Sequence, residues 1–67
     1  MYKYYIVEWA GETPWGQFYV GRERFEMNEK AEMRAFIFRL MRKKAISKIW
    51  KTVHEEGGSV KLFLGTG

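Results

Sequence analysis

Residues 28–44 carry the clearest hydrophobic pattern in the chain. Met33, Phe36, Ile37, Leu40 and Met41 follow the i, i+3, i+4, i+7, i+8 spacing, which gathers them into one apolar stripe of a helix that has to lie against something. Both ends of the helix are marked as well. Asn28 is expected as the N-cap, Glu29 and Glu32 fall in the first turn, and Arg42, Lys43 and Lys44 fall in the last, signs that suit the helix dipole. The segments on either side are aromatic or β-branched, so the cover is expected to be a β-sheet.

Ahead of the helix, residues 2–9 contain no breaker and read as a strand. Residues 10–16 hold two glycines and Pro14, the composition of a hairpin loop, and residues 17–25 read as the returning strand. Gly21 within it marks either a bulge or a place where another group comes close. Phe25 or Met27 is placed to staple the start of the helix.

After Lys44 the pattern forks. Ile46, Ile49, Trp50 and Val53 fit a helix continuing to His54, and the same β-branched, aromatic run fits a strand. The strand is preferred, because the Lys-rich helix end favours a stop and the Gly57-Gly58 loop leads into a clear strand at residues 59–64. The expected fold is α+β in the order ββαββ: a four-stranded antiparallel sheet with one helix packed on one face, in a single domain over residues 1–67. The fallback is ββαβ with a longer helix.

One helix covers one face of such a sheet, and the other face is expected to be polar in a free monomer. It is not. Tyr2, Tyr4 and Ile6 alternate with Lys3, Tyr5, Val7 and Trp9, and Phe18 and Val20 alternate with Tyr19, so large aromatics point both ways. Either edge tyrosines stay half exposed, or the second face is covered by another subunit, a protein or nucleic acid, with Tyr5 and Tyr19 as candidate interface residues. On the helix, Ala31, Ala35, Phe38 and Arg42 form a row away from the apolar stripe, flanked by Arg34 and Arg39. Ala31, Ala35 and Phe38 thus offer a second contact surface, unless Phe38 lies over a sheet edge or loop of its own chain. A homodimer is the expected assembly.

Composition sharpens this picture in three places. At 67 residues without cysteine, the chain has room for a small core and cannot reinforce it with a disulfide or a thiolate metal site, which leaves oligomerisation as a common route to stability. No apolar run is long enough for a membrane span, and the opening residues lack the order of a signal peptide, so a cytoplasmic location is expected. A net charge of +4 and a pI of about 9.6 tilt towards acidic partners.

Catalytic chemistry finds little support. His54 is the only histidine and stands beside Glu55 and Glu56, which on a strand would alternate between faces. Ser47, Ser59, Thr13 and Thr52 have no evident base, and Glu26-Met27-Asn28-Glu29 stands where a phosphate loop would need glycines and a lysine. No enzymatic activity, metal or other cofactor is expected. Tyr5-Ile6-Val7 and Tyr19-Val20-Gly21 in a hairpin, with Arg34 on the next helix, resembles the opening of the GIY-YIG nuclease domain over less than half of the chain. The chain departs from that pattern. Tyr5 or Tyr4 stands at the first glycine, Val7 at the tyrosine, Arg34 lies further on, and only Glu55 or Glu56 is available as the metal-binding glutamate. Nuclease chemistry is therefore not carried over.

Binding is the better-supported expectation. Lys30, Arg34, Arg39, Arg42, Lys43, Lys44, Lys48 and Lys51 crowd into the helix and the next element, with Tyr5, Trp9, Trp15 and Tyr19 as aromatic neighbours. Arg39, Arg42, Lys43, Lys44, Lys48 and Lys51 are candidates for phosphate contacts with DNA or RNA, and Trp9 and Trp15 for base stacking. The alternative is a small inhibitor or regulator of the kind encoded by phages and mobile elements, docking an aromatic patch on a host protein.

Overall fold

The computed structural model describes residues 2–65. Strands β1 (Lys3–Glu12) and β2 (Phe18–Glu26) form a hairpin, a 3₁₀ turn (Met27–Glu29) leads into helix α1 (Lys30–Met41), and β3 (Ile46–Glu55) and β4 (Gly58–Gly65) form a second hairpin. The sheet order is β2-β1-β3-β4, with every neighbouring pair antiparallel. The ββαββ order is thus the one expected, and residues 46–54 are strand rather than a continuation of the helix.

The helix stops where the chain has to turn back. The backbone N–H groups of Arg42 and Lys43 close on the carbonyls of Arg39 and Leu40, and Glu12 then donates its N–H to the Ala45 carbonyl at 3.1 Å. That bond carries β1 three residues beyond the expected end at Trp9, to Glu12. Gly11, read as a loop glycine, is instead inside the strand. A Cβ there would stand 2.4 Å from the Ala45 carbonyl oxygen and 2.7 Å from the Tyr19 hydroxyl. Glycine is required by close approach, not by a turn.

The core lies between the sheet and α1. Tyr5 and Val7 of β1, Phe25 of β2, Ile46 and Ile49 of β3, and Met33 and Leu40 of α1 are buried, with Trp9, Tyr19, Phe36, Ile37, Val53 and Leu64 packed around them. Met33, Phe36, Ile37 and Leu40 therefore face the sheet as the spacing predicted. Met41 does not and is exposed. At about 100° per residue it sits roughly 80° round the helix from Met33, on the rim of the stripe rather than its centre. Asn28 is not the N-cap either: the chain enters α1 through the 3₁₀ turn, and Glu29 Oε1 accepts the Glu26 N–H at 2.9 Å, as in a capping box. Phe25 is buried, its ring 5.5 Å from that of Phe36, and Met27 is exposed.

Candidate functional site

Strand alternation sends one set of side chains to the helix and the other to the open face. From β1 that set is Tyr4, Ile6, Glu8 and Ala10. Their neighbours by register are Glu26, Arg24, Arg22 and Val20 on β2, His54, Thr52, Trp50 and Lys48 on β3, and Ser59, Lys61 and Phe63 on β4. The open face divides into two halves of different character.

The half nearer the β3–β4 turn is tied up by its own side chains. The Tyr4 ring is stacked on His54, with centroids 4.6 Å apart, and the Arg24 guanidinium lies 4.0 Å from its centroid. Arg24 Nε donates to Glu26 Oε2 at 2.6 Å, and another guanidinium nitrogen donates to the Tyr2 hydroxyl at 2.6 Å. The hydrogen bond to Glu26, then that to Tyr2, holds the Arg24 pKa above its already high ordinary value. Ile6 and Thr52 are buried on this face of their own sheet. The aromatic side chains here thus have partners within the chain.

In the other half the large side chains remain open. Phe18 is 78% exposed and Val20 82%, and Phe63 is also exposed, beside the half-buried Trp50. The Trp50 and Phe63 rings are cross-strand neighbours with centroids 6.0 Å apart. Lys61 Nζ lies 5.4 Å from the Trp50 ring and 3.6 Å from Glu8 Oε1. Glu8, Val20, Arg22 and Trp50, with Trp9 and Gly21, line a depression of about 230 Å³.

The basic residues singled out from the sequence do not form one track. Arg42, Lys43 and Lys44 are exposed in the turn after α1, and Arg39 is exposed on the helix with its guanidinium 5.9 Å from the Phe36 centroid. Lys48 is exposed on the open face. Lys51 is three residues on, so it points to the helix side, beside Val7 and Leu62. The bond between Glu12 and Ala45 places the basic turn and the β1–β2 loop at one end of the molecule. Trp15 is exposed in that loop, its Nε1–H donating to Gln17 Oε1 at 3.4 Å.

Three aromatic candidates need correction. Trp9 is on the helix side, with its ring 5.2 Å from that of Phe36, and is a core residue rather than a stacking platform. Tyr5 is 4% exposed and Tyr19 is packed against the core, so neither is available as an interface residue. Parity decides all three, because odd-numbered residues of β1 and β2 face α1. Ala31, Ala35 and Phe38 are exposed in a row on the outer side of the helix, Phe38 at 64%.

The residues missed in the sequence are Trp50, Phe63, Lys61 and Arg22. Their signal was the hairpin: a two-residue loop at Glu56 and Gly57 pairs Glu55 with Gly58, and counting back along the ladder sets Trp50 opposite Phe63. Among the described residues there is no group of three or more histidine, cysteine, aspartate or glutamate side chains arranged to hold a metal, and no helix long and apolar enough to cross a membrane. No protein-family model, curated protein or solved structure matches the chain.

Proposed function

We propose that this chain is a small non-enzymatic binding module that takes single-stranded nucleic acid on the open half of its sheet. The observation that carries the reading is the Trp50–Phe63 pair, two neighbouring rings on a sheet surface with Lys61 beside them and Lys48 and Arg22 on the same face. Adjacent aromatic rings accept successive bases whatever their identity, because every base has a π-face, and the surrounding cations hold the phosphates. Arg42, Lys43 and Lys44 extend the positive surface to the end of the molecule that carries Trp15, and Arg39 adds to it from the helix.

The test is binding of labelled single-stranded DNA and RNA at stepped salt concentrations, with wild-type protein and Trp50→Ala. Affinity should fall steeply with salt through counterion release, and the Trp50 change should cost on the order of 1 to 3 kcal/mol with the salt slope nearly unchanged. Absence of binding at low salt rejects the reading.

Phe18 and Val20 favour a second reading. Two apolar side chains this exposed beside a shallow depression also suit a protein partner, for an inhibitor or regulator acting on a host protein. Under that reading Phe18→Ser abolishes partner capture, whereas Lys48→Gln and Lys61→Gln leave it largely intact.

A further inference from the structure

The sheet has two free edges among the described residues, and they are built differently. β2 carries Arg22, Glu23, Arg24 and Glu26 in its second half, with Arg24 held by Glu26 and Tyr2. Charges along an edge oppose pairing with another chain. β4 reads Gly-Ser-Val-Lys-Leu-Phe-Leu-Gly, with a single charge and no proline. It is the less defended edge, its one irregularity being the register shift that leaves Leu64 without a partner on β3, beyond the run from Val60 to Phe63.

The helix also leaves β4 short of cover. Val60 and Leu62 lie on the helix side of the sheet, opposite Val53 and Lys51, yet both are exposed, Leu62 at 44%. Leu64, next along that side, is packed against the core margin. An apolar row thus runs along an edge strand whose outer backbone groups are open to a partner strand.

We infer that β4 pairs with β4 of a second copy of this chain, antiparallel about a two-fold axis at Leu62, making one continuous eight-stranded sheet. The strand's own sequence selects that occupant and register. Side chains directly opposite each other across an antiparallel pair share a face, so the axis must pass through a residue position. An axis at Lys61 sets two like charges opposite each other, one at Val60 spends Leu62 on Gly58, and one at Phe63 spends Lys61 on Gly65 and leaves Val60 outside the paired run. The axis at Leu62 pairs Leu62 with itself, Val60 with Leu64 and Lys61 with Phe63 of the second copy. That gives three apolar pairs on the helix side and two cation–aromatic pairs on the open face. The second copy supplies the cover that the single helix does not. This inference stands whatever the open face binds.

Sedimentation equilibrium over a wide concentration range tests it with wild-type protein, Leu62→Lys, Leu62→Glu and an equimolar mixture of the two variants. The expected result is a wild-type dimer, dimerisation weakened at least about tenfold in each variant by like charges brought face to face, and recovery in the mixture, where the charges are opposite. Leu62 is partly exposed, and circular dichroism checks that both variants fold. Hydrogen exchange on the wild type gives a second measurement free of substitution. β4 amides should gain protection with rising concentration while β2 amides do not. A wild-type monomer throughout, variants that dimerise unchanged, a mixture that stays monomeric, or β4 amides indifferent to concentration would each overturn the pairing.

Discussion

The indole of Trp9 lies over Gly21, its partner across the β1–β2 ladder, so closely that a Cβ on Gly21 would stand 2.3 Å from Trp9 Cε2 and Cζ2. The diagonal neighbour repeats the arrangement in reverse, with the Tyr19 ring over Gly11. Each bare glycine is covered by a facing aromatic, which lets two rings lie flat on a strand pair and widens the core beside Phe36. Trp9 also packs against Phe36 in a T-shaped pair, so the ring is not free to yield. Gly21→Ala should therefore destabilise the fold by about 1–3 kcal/mol through overpacking, and Trp9→Ala by about 3 kcal/mol through lost burial. In the double variant the two losses should be clearly less than additive, measured by urea denaturation, because removing the ring removes the clash.

Leu40 and Met41 are adjacent in sequence and opposite in consequence. Leu40 is buried against the sheet and Met41 is on the rim. Leu40→Ala should cost about 2–5 kcal/mol, a large share of the stability of so small a domain, and Met41→Ala less than about 1 kcal/mol. Equal losses in thermal or chemical melts would mean that the helix is rotated from the orientation described.

Much of this fold was legible because periodicity and termination agreed. The i, i+3, i+4 spacing of Met33, Phe36, Ile37 and Leu40 fixed the helix, and the lysines before Ala45 correctly weighed against its continuation through Ile46 and Trp50. What escaped were features set by contacts distant in sequence. Gly11 looks like any loop glycine until the Ala45 carbonyl and Tyr19 are placed against it. Trp9 and Tyr5 looked like surface aromatics because both parities of β1 carry large rings, and composition does not say which parity faces the helix. Asn28 is a good cap by residue type, but the Glu26–Glu29 pair captures the chain two residues earlier. For the candidate site, the basic residues were visible as a cluster in sequence, whereas alternation along β3 sends Lys48 and Lys51 to opposite faces.

That Glu26–Glu29 contact has its own consequence. Glu29→Ala removes both the acceptor for the Glu26 N–H and a negative charge from the first turn. A loss of about 0.5–1 kcal/mol is expected, with Asn28→Ala having a smaller effect, compared in the same denaturation assay.

Lys48 and Lys51 provide an internal control for the binding reading. If the open face carries the phosphates, Lys48→Gln should flatten the salt dependence of single-strand binding by about 0.7 in logarithmic slope, the contribution of one phosphate contact. Lys51→Gln, on the helix side, should leave the slope unchanged. Oligonucleotide titrations at several ionic strengths decide between this outcome and equal effects, which would favour a track along the helix end.

The most direct measurement is a titration of isotopically labelled protein with a short single-stranded oligonucleotide, followed by nuclear magnetic resonance. The largest shifts are expected on the Trp50 indole, the Phe63 ring and the amides of Arg22, Lys48 and Lys61, with smaller ones in the turn holding Arg42, Lys43 and Lys44. Shifts confined to the helix and its C-terminal turn, or no shifts at low salt, would contradict binding on the open face.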